Sequence, residues 1–447
     1  MKRVAVIGGG WAGCAAAVEL ARRGMPVSLF EAARNLGGRA RMVELNGRKL
    51  DNGQHILLGA YAETLRLLGN VGLASSDVLL RLPLQMRYPP GQGGMDFVTP
   101  RLPAPWHMLI GLLRANGLRR EDKLALARFS TTARWMDWRL NIDCSVSELL
   151  DRFDQTARLV QLMWRPLCIA ALNTPPERAS AQVFLNVMRD SLGARRAASD
   201  MLIPRVDLSA LFPAHAAAFV ERHGGRVHCG LAIRRIIAAD GKWRLDMGDA
   251  QAGSGAASNA VSSATFDAVI VATSAWQAAS LLAGHAETAS LTSLDHEPIT
   301  TCFLQYPPQV RLAQPLHALI DDGDIGHWGQ FVFDRGHLDA EQAGLLAVVV
   351  SASGAAIADG HDALSAAVAA QLAEVLQRPE LASPLWSKLI SEKRATFACT
   401  PGLQRPSNET GVEGLLLAGD YTAGDYPATL ESAVRSGVRA ASLAAAG

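Results

Sequence analysis

Paired cysteines are missing from this sequence. The six thiols, Cys14, Cys144, Cys168, Cys229, Cys302 and Cys399, are scattered and form no CxxC, which argues against a disulfide framework, a zinc site or a dithiol relay. Metal-ligand spacing is missing too. The 11 histidines contain no HExxH, and His215, His223 and His228 lie close in sequence without a carboxylate or thiol to complete a set, so no metal is expected. No run of about eighteen apolar residues is free of charge, so no spanning helix is expected. Charge of one sign is not in excess: 43 basic against 42 acidic residues give a net charge of +1, leaving no global field to attract nucleic acid. The chain opens directly into an apolar strand, which leads us to expect no signal peptide and a cytoplasmic protein, or one peripheral on the inner face of the membrane. What remains is 49% hydrophobic and 19% charged over 447 residues, enough for two or three domains' worth of core.

The most informative stretch is the first forty residues. Val4-Ala5-Val6-Ile7 reads as a short buried strand, Gly8 to Gly13 as a turn, Cys14 to Arg23 as a helix stopped by Gly24, and Pro26 to Phe30 as a second strand closed by Glu31. In this GxGxxG, Gly8 permits the tight turn, Gly10 lets backbone approach a pyrophosphate, and Gly13 lets the helix sit close to the sheet. The helix N-terminus would face the phosphates, and Glu31 would accept hydrogen bonds from ribose hydroxyls. Gly37-Gly38 with Arg39 and Arg41 offers a second close approach and phosphate-binding charge, which an extended dinucleotide such as FAD uses better than a nicotinamide cofactor does.

Further along, Asn46-Gly47 is a hairpin signal between two short strands, and Asp51 to His55 reads as a polar loop opening into an apolar helix. From about 76 to 204 helical periodicity dominates. Within it, residues 102–120 join an apolar run and Trp106 to Arg114, Arg119 and Arg120, a pattern fit for an interfacial segment or a buried helix with a basic end. Residues 121–140 read as an amphipathic helix with Trp135 and Trp138. The apolar 159–173 segment, with Arg165 and a helix-kinking Pro166, suits core or the wall of a lipid-shaped cavity. Residues 208–223 read as a helix, Arg226 to Ile237 and Lys242 to Met247 as strands, 248–265 as a surface loop, and Phe266 to Thr273 as a buried strand. The runs 300–306, 327–333 and 345–351 suggest an antiparallel sheet, with a helix at 362–376 and a strand at 393–397. Near the C-terminus, Gly414 to Asp420 reads as strand then turn, with Pro427 as the first helical residue of 428–444. One glycine fingerprint at one end and an Ala-Gly-Asp segment at the other argue for FAD. No second GxGxxG is present, so an external electron donor is expected.

Taken together, VAVIGGGWAGCAAAVEL, EAARNLGGRA and LLLAGDYTAGDYPATLESAVRSG resemble the flavin amine oxidase and phytoene desaturase superfamily. WRPLCIAALNTPPERAS and GDYTAGDYPATLESA resemble, within it, the hydroxysqualene dehydroxylases of bacterial hopanoid synthesis. The resemblance implies an α/β fold: a Rossmann-type, glutathione-reductase-like FAD-binding domain with a parallel sheet (1–75, 205–285, 395–447) and an inserted α+β substrate domain (76–204, 286–394) with a candidate membrane contact at 102–120. It implies FAD bound by Gly8, Gly10, Trp11, Ala12, Gly13, Glu31, Ala32, Gly37, Gly38 and Arg39. It adds the backbone of Ile233 at the adenine, and Gly419, Asp420, Thr429 and Leu430 at the flavin end. Asp420 stands where many amine oxidases carry Glu. The implied reaction is reductive removal of the hydroxyl of hydroxysqualene or a similar C30 isoprenoid, through an allylic cation and hydride from reduced flavin. Asp425, Tyr421 and His55 are the candidate acids or orienters; Asp425 could equally cap the C-terminal helix. An oxidative desaturase or amine oxidase, and a non-catalytic flavin sensor or lipid carrier, are the competing readings.

Overall fold

The computed structural model describes residues 1–45, 47–90, 93–247 and 264–446. Asn46 of the expected hairpin turn and nearly all of the 248–265 loop lie outside the described residues. In chain order, strand β1 (Val4–Ile7) leads into helix α1 (Trp11–Arg22) and strand β2 (Val27–Glu31). A helical stretch follows with α2 (Trp106–Arg114), α3 (Arg120–Trp135), α4 (Arg165–Leu172), α5 (Ala181–Ser191) and α6 (Pro213–Arg222). Then come β3 (Arg226–Cys229), β4 (Ala268–Val271), β5 (His296–Gln305), β6 (Leu316–Ala318), β7 (Phe331–Asp334) and β8 (Leu345–Ser351). The chain closes with α7 (His361–Val375), β9 (Trp386–Phe397), β10 (Leu415–Leu417) and α8 (Leu430–Ala446).

Two sheets carry the molecule. The first has the order β3-β2-β1-β4-β10 with every pair parallel, Val6 lying opposite both Leu29 and Ile270. Its strands are apolar throughout, as expected when both faces are covered. The two faces of β1 follow the period of a strand: Val4 and Val6 pack with α1 and α8, whereas Ala5 and Ile7 join the large core that continues into the second sheet. This is a Rossmann-type α/β fold. The second sheet is antiparallel, in the order β6-β7-β8-β5-β9. Phe303, Ala347 and Val349 face the shared core and Cys302, Leu304, Val348 and Val350 face α7. A π-helical turn at Val160–Trp164 runs straight into α4, so Pro166 falls in a first turn and breaks nothing.

Several element boundaries differ from the sequence reading, each for a local reason. The expected strand 226–237 is two pieces, Arg226–Cys229 and Arg235–Ala239. Between them Gly230 turns at φ +73°, and the N–H groups of Gly230 and Leu231 bond back to Ala33 O and Glu31 O. The helix expected over 208–223 is divided at Phe212-Pro213, because Pro213 has no N–H to continue the first turn. Helix α3 stops at Trp135, and Asp137 and Trp138 both adopt positive φ. The polar loop 51–55 opens into a two-residue strand, Leu57–Leu58, and a helix begins only at Ala62. Pro427 lies ahead of α8 and not in its first turn: the helix starts at Leu430, and Thr429 Oγ1 accepts from Ser432 N at 3.2 Å.

Candidate functional site

The crevice at the C-terminal ends of β1 and β4 is where the strand order reverses, the place where open parallel sheets bind ligands. Gly8 closes β1 at φ +106°, and a Cβ there would meet Ala272 O at 2.5 Å. Gly13 is more constrained still: its Cβ would fall 1.8 Å from Gly8 O. Gly10 is different. The nearest atom to a Cβ there is Gly38 Cα at 3.9 Å, whereas a Cβ on Gly38 would lie 3.1 Å from Gly10 Cα, so the two glycine backbones approach closely and only the Gly10 side leaves room. Gly37 N donates to Gly9 O at 2.8 Å, which draws the second glycine pair onto the first turn. The room against Gly10, at the N-terminus of α1, is a cradle that suits a phosphate group. Trp11 and Ala12 are buried, with Trp11 Nε1 donating to Ala40 O at 3.1 Å.

From this turn the site extends in two directions. On one side, Glu31 ends β2 with its carboxylate accepting from Gly9 N at 2.6 Å and Ala33 N at 2.7 Å. Exposed Ala32 and buried Ile233 flank it, since the 230–231 backbone is bonded to Glu31 and Ala33. On the other side, Arg39 reaches across 381 positions of sequence to Asp420 Oδ1 at 2.6 Å and also donates to Ala395 O. Burial works against the Arg39 charge, but Asp420 outweighs it and holds the guanidinium pKa above its ordinary value. Gly419 N bonds Ser436 Oγ at 3.0 Å, and Ser432 Oγ bonds Asp420 O at 3.2 Å, fixing this turn to α8. Thr429 and Leu430 stand at the start of that helix.

Of the three candidate acids, two fall beside the Arg39–Asp420 pair. Tyr421 is buried, and its hydroxyl has no hydrogen-bond partner among the described residues. Burial, then the Asp420 charge, push its pKa up, so it stays a neutral O–H donor. His55 Nδ1 lies 3.0 Å from Gly53 O. A carbonyl only accepts, so the proton sits on Nδ1 and Nε2 is left as an acceptor. Burial and the Arg39 charge lower its pKa and keep the ring neutral. The loop that carries it is tied to the same place by Asn52, which donates to Arg39 O at 2.9 Å. Asp425 lies elsewhere: its side chain is 72% exposed and sits 4.0 Å from Arg189, while its carbonyl accepts from Asn186. Thr429, not Asp425, caps α8.

The structure also brings in residues that the sequence reading passed over. Ser274, Trp276, His296 and Phe397 line a narrow cavity with Arg39, Asp420 and Tyr421. Burial, Arg39 and Arg394 lower the His296 pKa. Thr301 on β5 is fully buried, its hydroxyl without a partner among the described residues and 3.9 Å from the Cβ position of Gly53. The Ser274 and Trp276 positions were accessible in principle, since they follow β4 and parallel neighbours of β1 end at the same crevice. His296 and Thr301 belong to the other sheet and carry no local signal. Among the described residues no group of His, Cys, Asp and Glu could hold a metal ion.

Known proteins resemble this chain in sequence and in fold. Residues 11–445 match the family described as flavin containing amine oxidoreductase. The chain is 30% identical over 459 residues to a hydroxysqualene dehydroxylase of Rhodopseudomonas palustris, covering 99% of this chain and 98% of that protein. It is 28% identical over 464 residues to a hydroxysqualene dehydroxylase of Sinorhizobium fredii, with the same coverage. Among solved structures, cyclohexylamine oxidase from Brevibacterium oxydans superposes with a TM-score of 0.66 at 16% identity, covering 100% of this chain and 99% of that one, a likeness of fold.

Proposed function

From the premise that this chain belongs to the flavin containing amine oxidoreductase family and is an FAD-dependent oxidoreductase, we infer that it reductively removes the hydroxyl of hydroxysqualene, or a similar C30 isoprenoid alcohol, to give squalene. The observation that carries the substrate is the likeness to a hydroxysqualene dehydroxylase along 99% of the chain. The orphaned Tyr421 hydroxyl beside the Arg39–Asp420 pair supports the chemistry.

In this reading Gly8, Gly10, Trp11, Ala12 and Gly13 hold the pyrophosphate, with Gly37, Gly38 and Arg39 closing over it. Glu31 and Ala32 hold the ribose, and the Ile233 backbone meets the adenine. Gly419, Asp420, Thr429 and Leu430 hold the flavin end, where the dipole of α8 favours negative charge. Bound there in its reduced form, FAD supplies a hydride. The residues must do the rest. The substrate hydroxyl is allylic, so adding a proton releases water and leaves a delocalised cation; hydride addition then completes the exchange of C–O for C–H. Tyr421, buried and without a partner among the described residues, donates its proton to the departing oxygen, which leaves as water, and the tyrosinate left beside Arg39 takes a proton back from solvent. His55, neutral with Nε2 free of its own proton, orients that hydroxyl as an acceptor. Asp425 faces solvent and receives no part in the step. The same reading divides the chain into a cofactor half (1–75, 205–285, 395–447) and a substrate half (76–204, 286–394), and two electrons per turnover come from an external donor.

The test is anaerobic. Chemically reduced holoenzyme mixed with hydroxysqualene is expected to form squalene as the oxidised flavin spectrum returns. Tyr421→Phe is expected to slow this step by about 100-fold or more with flavin content unchanged. If a saturated isoprenoid or an amine bleaches the oxidised flavin instead, the enzyme is a desaturase or amine oxidase. If lipid binds and is never converted, it is a carrier.

A further inference from the structure

Apolar side chains and positive charge coincide on one part of the surface, residues 101–142. Ten large hydrophobic residues stand exposed among the described residues, and six of them lie here: Trp106, Leu109, Leu113, Leu124, Trp135 and Ile142. The same stretch holds seven arginines and one lysine against Glu121, Asp122 and Asp137, in a chain whose total charge is only +1. Arg101, Arg114, Arg119, Arg120, Arg128, Arg134 and Arg139 are all exposed, whereas Asp122 is buried.

Helix spacing shows that this exposure is organised. Trp106, Leu109 and Leu113 recur at three and seven positions and so share the outer face of α2, while His107, Gly111 and Leu112 are buried on the inner face. A surface helix of a globular protein turns its polar side outward; α2 turns an apolar one. On α3, Leu124, Arg128, Thr131 and Trp135 share a face, and Ala125, Leu126, Phe129 and Ala133 are buried opposite. A short connection, residues 115–119, links the two helices. Lys123 Nζ at the start of α3 donates to Leu113 O near the end of α2 at 2.9 Å. No helix among the described residues is long and apolar enough to cross a membrane, so this face can lie on a bilayer but not pass through it by a helix.

We propose that α2 and α3 form a docking face for an anionic lipid bilayer. Tryptophan settles at headgroup depth, leucine enters the acyl boundary, and arginine keeps its head at lipid phosphates while its stem covers apolar surface. A polyanion without an apolar layer would leave the tryptophans and leucines in water, and an apolar protein surface would leave the arginines unmatched; a bilayer of anionic lipid matches both. The proposal rests on surface chemistry and stands apart from the reaction proposed above.

Holoenzyme is sedimented with vesicles of phosphatidylcholine alone and of phosphatidylcholine mixed with phosphatidylglycerol. The expected result is retention on the mixed vesicles that weakens as salt rises, and weak retention on phosphatidylcholine. The double variant Trp106→Ser, Trp135→Ser is expected to lower retention at least tenfold. Arg119→Glu with Arg120→Glu is expected to remove the preference for anionic lipid. Both pairs are exposed, and flavin absorbance and melting temperature confirm that each variant is folded. Retention that neither pair of substitutions changes would overturn the proposal, as would the absence of retention on any vesicle. So would a concentration-dependent dimer that Trp135→Ser dissolves without vesicle binding, which would assign the face to a second copy of the chain.

Discussion

Gly10 and Gly13 lie three residues apart and constrain the protein in different ways. A side chain at position 13 would collide with Gly8 O at 1.8 Å, so helix and turn would have to separate. One at position 10 would meet nothing nearer than Gly38 Cα at 3.9 Å and would fill only the cradle. Gly13→Val is therefore expected to destabilise the fold by about 3 kcal/mol or more, as overpacked buried sites do. Gly10→Val is expected to leave the apoprotein's thermal midpoint nearly unchanged while abolishing the flavin absorption of the purified protein. A yellow Gly10→Val protein would remove the cradle from the cofactor site. Residues such as these were legible in the sequence because their role is local: each glycine answers to a turn or a helix start within a few positions. Thr301 and Asp425 were not legible in the same way, since burial and orphaned hydroxyls depend on which distant segments come to lie beside them.

Helix α8 shows how one element organises others. Glu431 in its first turn is fully buried, yet its carboxylate accepts from Glu63 N at 3.1 Å, Thr64 N at 2.9 Å and Thr64 Oγ1 at 2.8 Å, and from Arg435 at 2.7 Å. It thereby caps the helix Ala62–Asn70 from 367 positions away, placing negative charge at a helix N-terminus. Glu431→Ala would leave those donors and Arg435 without their acceptor, a loss of about 3–5 kcal/mol. Glu431→Gln keeps one acceptor oxygen and should lose less. Urea midpoints of the two variants check this, and equal midpoints would show that the cap contributes nothing. No sequence window reveals such a contact. Strand β9 was under-read for a related reason. Its pairing with β5 runs over nearly its whole length, but it is an edge strand whose Lys388, Glu392, Lys393 and Arg394 interrupt the apolar alternation, as charged residues on exposed edges commonly do. The buried strands β1, β4 and β10 were found at once, because strands covered on both faces read as continuous apolar runs.

A buried charged contact ties a small two-stranded sheet to the antiparallel sheet. Asp51 ends the short strand Arg48–Asp51, which pairs with Met42–Leu45, and Arg335 follows β7 of the antiparallel sheet; both are buried, with Arg335 Nη2 4.0 Å from Asp51 Oδ2. Asp51 Oδ1 accepts from Leu208 N at 2.8 Å, and Arg335 donates to Gln54 at 3.0 Å and Gln342 at 2.9 Å. At 4.0 Å without a direct hydrogen bond, the attraction does not offset the loss of water around the carboxylate, and burial raises the Asp51 pKa to about 6 from an ordinary 3.8. The sign follows from the direction of that shift. A carboxylate whose folded pKa is raised favours the folded state while it is protonated. Its contribution is full below the unfolded value and is lost as pH rises through about 6. Asp51→Asn keeps the acceptor for Leu208 N and cannot ionise. The stability of the wild type relative to this variant is therefore expected to fall by about 3 kcal/mol between about pH 4 and about pH 8. Denaturant unfolding of both proteins across that range measures the difference. A difference that rises with pH would mean that Arg335 binds the carboxylate strongly enough to hold the hairpin to the antiparallel sheet by charge, and a flat one would mean that water reaches the contact.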